Sequence, residues 1–223
     1  MKIRALKAFT IRDSETGDLT SIANGAIADV DDTLGQSLIE DGLAEAYEDG
    51  SNNEAFQKFT NRSITSVTAD MLEGVTKIGQ YAFYACQQLT SVTIPNSVTG
   101  IGNSAFYYCT ALESIIIPDS VTSIEDSAFE RSGLKSVTLS NNIKKVMGFA
   151  NCQSLESITL PSSVTLLEWH AFKNCTSLIS ITILSPTRIS LDSTALEGTS
   201  DSLAIYVPTE LVDTYKEASS WSN

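Results

Sequence analysis

One segment recurs in near-identical form five times between Ser66 and Leu178, and this self-similarity constrains the fold more than any other property of the chain. The copies in phase are SVTADMLEGVTKIGQYAFYACQQL from Ser66, SVTIPNSVTGIGNSAFYYCTAL from Ser91, SIIIPDSVTSIEDSAFERSGL from Ser114, SVTLSNNIKKVMGFANCQSL from Ser136 and SITLPSSVTLLEWHAFKNCTSL from Ser157. A sixth begins at Ser180 as SITILSP. The Phe of each copy falls at Phe83, Phe106, Phe129, Phe149 and Phe172, with spacings of 23, 23, 20 and 23. The short interval arises because the third copy loses one residue before Leu134 and the fourth loses two between Val146 and Phe149.

Each position has a physical reading. The β-branched S-V-T-I segment alternates and predicts a short strand. Pro95, Pro118 and Pro161 end it, because Pro cannot donate to a ladder. A second extended piece follows, such as Val98 to Ile101, and then A-F-x-x-C-x-x-L, which reads as one helical turn. Val92, Ile94, Val98, Ile101, Ala105, Phe106, Cys109 and Leu112 form the inward set. One copy cannot bury that set alone, but stacked copies bury it as a continuous column.

The pattern S-V-T-I-P-x-S-V-T-x-I-G-x-x-A-F-x-x-C-x-x-L resembles the BspA-like class of leucine-rich repeat, from about residue 63 to the C-terminus. The C-terminal LAIYVPTELVDTYKEASSWSN (Leu203 to Asn223) is similar to the strand-plus-helix segment that closes such arrays. The resemblance implies a curved solenoid with a binding role, in families described as adhesins or surface proteins, and it implies no enzyme and no cofactor.

Residues 1–50 stand outside the repeat. Ile3 to Phe9 alternates as a strand, Asp13 to Asp18 is a turn, and Leu19 to Ile27 offers a second strand region. Asp32 or Thr33 caps a short helix over Leu34 to Asp41, with Gly42 at its C-terminal end, and Leu43 to Tyr47 makes a last strand. This predicts a small α+β module, with 4 basic and 11 acidic residues, a net of −7. Its order of elements, carried by Lys2, Phe9, Thr16-Gly17, Leu38-Ile39 and Gly42-Leu43-Ala44, resembles small modules of tailed-phage structural proteins, and is equally open to an unrelated domain with a common strand–helix pattern. Asp49 to Asn53 is a polar linker. Glu54 to Phe59 imitates A-F-x-x-C, with Phe59 in the Cys place, and predicts a half-coil that caps the first edge. At the other end Thr187 to Thr199 keeps the period with Leu196 in the Phe place, Ile205 to Pro208 is a closing strand, and Leu211 to Ser219 is a short amphipathic helix with Trp221 packed beside it. The organisation is therefore a small α+β anchoring domain (1–50), a linker and N-terminal cap (51–62), the repeats (63–183) and a C-terminal cap (184–223).

Several function classes are excluded or disfavoured. The formal charge of −13 disfavours nucleic acid, whose phosphates need basic patches. No apolar run of about 18 residues is present, so no membrane-inserting helix is predicted. The start MKIRALKAFTIRDSETG lacks the apolar stretch and cleavage site of a secretory signal. Cys86, Cys109, Cys152 and Cys175 share one repeat position, held by Ser132 in the third copy, which predicts a ladder of buried free thiols rather than disulfides. No Cys pair has the spacing of a zinc site. The single histidine, His170, sits at a variable place beside Trp169, equivalent to Tyr81, Ser104 and Ser127, without partners for a triad or a metal. Asp119, Glu125 and Asp126 cluster in one copy and offer either a cation site or a solvated surface.

Two candidate binding surfaces remain. Alternation along the first strand turns Ser91, Thr93, Ser114, Ile116, Ser136, Thr138, Ser157, Thr159, Ser180 and Thr182 outward, predicting two ladders on one flat sheet. Such a face suits protein or glycan contact, and β-propensity alone would also select these residues. Tyr81, Tyr84, Tyr107 and Tyr108 gather around the turns of the first two copies, and grouped tyrosines mark interfaces or internal packing. The whole predicts a non-enzymatic structural and binding protein. In the first reading residues 1–50 attach to a phage virion protein and the repeats contact host surface, mucus or glycan. In the second it is a bacterial cell-surface or secreted adhesin.

Overall fold

The computed structural model describes residues 64–218 and Trp221 in full, together with the backbone of six short strands between Lys2 and Ala55. Each repeat forms one coil with two short strands and a run of turns. The first strands are Ser66–Val67, Ser91–Val92, Ser114–Ile116, Ser136–Thr138, Ser157–Leu160, Ser180–Ile183 and Ala204–Tyr206. The second strands are Lys77–Ile78, Gly100–Ile101, Ser123–Ile124, Lys145–Val146, Leu166–Leu167 and Ser190–Leu191. All pair in parallel and in phase, so Ser114 stands opposite Ser136 and Ile101 opposite Ile124. Proline opens the tight turn between the two strands of a coil. The amides of Val98, Val121 and Val164 donate to the carbonyls of Pro95, Pro118 and Pro161 at 3.1, 2.9 and 3.0 Å. The fourth coil lacks that Pro. There the Ser140 hydroxyl is buried and donates to the Val121 carbonyl at 2.6 Å.

The third side of each coil differs from the helical turn that A-F-x-x-C suggested. It is a chain of tight turns containing two left-handed residues per coil: Tyr81 and Ala85, Ser104 and Tyr108, Ser127 and Arg131, His170 and Asn174. Alternate amides serve two ladders. In the first coil Ala82, Tyr84 and Cys86 donate within the coil, to Gly79, Tyr81 and Phe83. Tyr81, Phe83 and Ala85 donate onward to Asn103, Ala105 and Tyr107 of the next coil, at 3.0, 2.7 and 2.8 Å. An α-helix would turn every amide back into its own coil. Stacking against a neighbour instead satisfies half of them between coils, and the backbone bends into the left-handed region to allow it. On the strand side donors run both ways, as in a parallel ladder: Thr90, Thr99 and Gly102 of the second coil donate back to Thr65, Thr76 and Ile78 of the first, and Ile117 of the third coil donates forward to Thr138 of the fourth.

The core is one column. Phe83, Phe106, Phe129, Phe149 and Phe172 are fully buried and stack ring on ring, with successive centroids 5.0, 5.2, 5.2 and 5.8 Å apart. The offset stack adds to the area buried. Beside it runs the thiol ladder of free, buried cysteines. The Sγ of Cys109, Cys152 and Cys175 donates to the carbonyls of Phe83, Phe129 and Phe149, each at 3.1 Å. Ser132 holds the same place and meets Cys152 Sγ at 3.3 Å. The position therefore selects a small residue with a donor. Burial pushes the Cys109 and Cys152 thiols up to about 12.

At the N-terminal end Glu54–Ala55 pairs in parallel with Lys77–Ile78. Ala55 thus takes the second-strand place opposite Ile78, not the A-F place that the motif suggested. Ahead of it Lys2–Ala5 pairs antiparallel with Ile27–Asp29 and with Ala44–Ala46, and Phe9–Arg12 pairs with Leu19–Ile22. The helix expected over Leu34 to Asp41, and the remainder of the linker, lie outside the described residues. At the C-terminal end Ala204–Tyr206 continues the first-strand ladder, and Val212–Lys216 is a short α-helix. Its Tyr215 is buried, accepts the Ile189 amide at 3.0 Å, and meets Trp221 edge to face at 5.1 Å. Ala195 is buried in the Ala place and takes the Phe172 amide at 2.8 Å, which sets Leu196 in the Phe place. Among the described residues no helix is long and apolar enough to cross a membrane.

Candidate binding faces

The strand face places the predicted residues outward. Ser91, Thr93, Ser114, Ser136, Thr138, Ser157 and Thr159 are exposed, Ser180 and Thr182 are half-buried, and Ile116 is 69% exposed. Register aligns Ile116 with Thr138 and Thr159 with Thr182. It also adds Tyr206, opposite Thr182 and 58% exposed, which the sequence pattern missed because the last coil departs from S-V-T-I. One flat sheet does not result. The first strands pair in three groups, 66–92, 114–138 and 157–206, because the paired stretches are short and the ladder lapses between groups.

The turn face gathers the four tyrosines. Tyr81, Tyr84 and Tyr108 are exposed and Tyr107 is half-buried. Tyr84 and Tyr107 stack at 5.0 Å with planes 5° apart, and Tyr81 meets Tyr84 edge-on at 5.6 Å. The Arg131 guanidinium lies 6.0 Å from the Tyr107 centroid, at cation–π distance. Phase sets Tyr84 beside Tyr107 at equivalent tips of adjacent coils, and Tyr81 and Tyr108 flank that pair at the places held by Ser104 and Ala85 in the other coil.

The acidic trio of the third coil is dispersed. Asp119 accepts the Asn141 amide at 2.8 Å and its side-chain Nδ2 at 3.2 Å, and these bonds hold its carboxyl below the usual range. Glu125 pairs with Lys77 at 2.9 Å and accepts the Asn103 amide at 3.1 Å. Asp126 lies apart on the turn face with His170, which is half-buried at 4.8 Å from the Trp169 ring. Among the described residues no group of three or more His, Cys, Asp or Glu side chains could hold a metal ion.

Six copies of the BspA type leucine rich repeat region match this chain, over residues 52–148 and 145–220. The chain belongs to the BspA-type leucine-rich repeat family. The BspA-type array shares its fold with the Leucine Rich Repeat protein of T. pallidum, at 25% identity and a TM-score of 0.53, over 62% of this chain and 79% of that one. A leucine-rich repeat protein of Eubacterium ventriosum matches at 31% identity and a TM-score of 0.47, over 66% of this chain and 45% of its own. A leucine rich cell surface protein of Faecalibacterium prausnitzii matches at 22% identity and 0.44, over 71% and 62%. The chain thus spans less than two thirds of the length of these last two. Ahead of the BspA-type repeats, residues 18–65 match a family of unknown function, DUF7302. No curated protein matches.

Proposed function

We propose that this BspA-type array is a non-enzymatic recognition protein whose exposed faces bind a protein or glycan on a host or cell surface. The tyrosine cluster carries the reading. Tyr81, Tyr84 and Tyr108 stand in solvent, the amides of Tyr81 and Tyr108 are held by inter-coil bonds, and Arg131 lies over the neighbouring Tyr107. Rigid exposed aromatics next to Arg supply contact area at little entropic loss and are enriched at interfaces. Ile116 and Tyr206, exposed among the hydroxyls of the strand face, support a second contact zone.

Two settings fit this role. In the first, residues 1–50 attach the array to a phage particle and the repeats project to host surface or mucus. The support is the resemblance of Lys2, Phe9, Thr16-Gly17, Leu38-Ile39 and Gly42-Leu43-Ala44 to small phage structural modules. In the second, the chain is a bacterial surface or secreted adhesin, supported by the shared fold with the T. pallidum protein. Immunogold electron microscopy of lysed source culture, with antibody against residues 63–223, separates them. Gold on capsids or tails establishes the first, and gold on the cell envelope sinks it in favour of the second. Gold on neither overturns both settings.

A further inference from the structure

The shortened fourth coil leaves a gap in the turn face. In the second, third and fifth coils a corner residue pair precedes Ala-Phe: Asn103-Ser104, Asp126-Ser127 and Trp169-His170. Corner amides pass from coil to coil, Tyr81 to the Asn103 carbonyl at 3.0 Å and Ser104 to the Asp126 carbonyl at 3.1 Å. The fourth coil runs Val146-Met147-Gly148-Phe149 and has no such pair. Gly148 takes the Ala place, since its carbonyl accepts the Phe129 amide, and it does so at φ +90°. A Cβ there would sit 2.8 Å from the Glu125 carbonyl oxygen, so only Gly closes this shortened corner. The result is a notch of about 270 Å³, floored by Gly148 and walled by the third and fifth coils.

We propose that this notch is a binding site for a neutral pyranose unit of a glycan. The proposal rests on the recognition reading above and gives it a ligand class and a place. Trp169, 47% exposed, forms one wall, and its ring is braced by His170 at 4.8 Å. An indole held in this way suits the apolar C–H face of a sugar ring. Opposite it Glu130, its side chain 20% exposed, is fixed by the Ser127 hydroxyl at 2.7 Å and by Asn151 Nδ2 at 3.1 Å. Asn174 Nδ2 in turn donates to Asn151 Oδ1 at 3.1 Å. Rigid planar acceptors suit hydroxyl donors, whose geometry a bound sugar fixes. The counterparts of the Ser127 amide donate to the next coil, Tyr81 and Ser104 to carbonyls and His170 to the Thr194 hydroxyl at 3.2 Å, whereas the Ser127 amide has no acceptor among the described residues and stands ready to donate.

Charge narrows the ligand. Asp126 and Glu130 face the notch; Arg131 lies 3.9 Å from Glu130 and Lys173 is paired with Glu197 at 2.8 Å, which leaves the Asp126 carboxylate as the net charge of the lining. The wall is therefore acidic overall, which disfavours phosphate and acidic sugars. The volume lies just under the range of drug-sized pockets, about 300–1,000 Å³, and fits a single ring rather than an extended peptide.

The test is titration of the full chain with glucose, galactose, mannose and N-acetylglucosamine, followed by calorimetry and by fluorescence of the indoles. Saturable binding of at least one sugar is expected. Trp169→Ala should weaken it by about tenfold or more, as for a buried aromatic anchor. Tyr84→Ala, in the neighbouring cluster, should leave it within about twofold. Insertion of Asn-Ser between Met147 and Gly148 rebuilds the corner and should abolish binding. If that variant fails to fold, Trp169→Ala, a surface change, decides alone. Absence of sugar binding, or binding unchanged in Trp169→Ala, overturns the notch proposal. A cationic peptide bound there in place of every sugar overturns it too. Cell or particle binding by the same preparation, lost in Tyr84→Ala alone, would leave the recognition reading standing without the notch.

Discussion

The strand face and the turn face hang on the same column of phenylalanines and have been filled by opposite rules. Along the strand face the outward residues repeat almost unchanged, Ser over Ser and Thr over Thr. Along the turn face the tips differ from coil to coil: Tyr84-Ala85, Tyr107-Tyr108, Glu130-Arg131, Ala150-Asn151, Lys173-Asn174. Strands stack about 4.8 Å apart, so each outward side chain is flanked by its own counterpart, and small β-branched residues pack best in that setting. The turn tips are held by backbone bonds from Phe83 to Ala105, Phe106 to Ala128 and Phe129 to Gly148, which need no particular side chain. Uniformity is thus a packing demand on one face. Variety is permitted on the other, and that is where recognition can be written.

The sharpest break of this contrast is Phe106→Ala against Tyr84→Ala. The first deletes a fully buried ring and should lower stability by about 3–5 kcal/mol in urea unfolding. The second removes an exposed tip and should stay within about 1 kcal/mol. Equal losses would mean that the tips carry structure, contrary to the division drawn here.

Tyr215→Phe probes the closing end. It leaves the Ile189 amide without its acceptor, and a loss of about 1–3 kcal/mol is expected in thermal unfolding. No loss would show that this bond adds nothing to the closing end and that the buried ring alone holds the helix there.

A smaller effect separates the thiol ladder from both faces. Cys109 and Cys152 sit at about 12, above the ordinary 9.0, because burial disfavours the thiolate. The unfolded chain therefore loses these protons first, so stability is full below about pH 9 and falls as pH rises toward 12. Cys109→Ser removes one such group, and Ser132 shows that the site accepts a hydroxyl. The variant should lose less stability between pH 8 and pH 10 than the parent, by roughly 1 kcal/mol. An identical loss in both would refute the buried-thiol linkage.

The smallest effect belongs to the charged pairs between coils. Lys135 meets Glu113 at 2.8 Å with both side chains more than half exposed. Lys135→Ala should change stability by less than about 1 kcal/mol, and the change should vanish in high salt.

The contrast also explains what the sequence disclosed. The column was legible, since Phe, Cys and Leu recur in phase and phase is all that stacking requires. The turn was misread as helical because its left-handed residues are Tyr, Ala, Ser, Arg and His as well as Asn, none of which advertises a positive φ in the manner of Gly. Their conformation is imposed by bonds to the next coil, which a single copy does not display. The tyrosine cluster followed from phase. The notch did not, although both its causes stood in the sequence, the two residues missing before Phe149 and the Trp169-His170 pair one coil later. A deletion reads as a loss within its own coil, whereas its effect is space between the two neighbours.

The bonds that join the coils at the turn tips point one way along the stack, from Tyr81, Phe83 and Ala85 to the second coil and from Ser104, Phe106 and Tyr108 to the third. Each tip therefore offers donors to the coil after it and acceptors to the coil before it. Internal coils present the same pair of edges, so a whole coil can be added or removed without leaving a mismatched joint, and the length of such a molecule is free to vary in steps of one repeat.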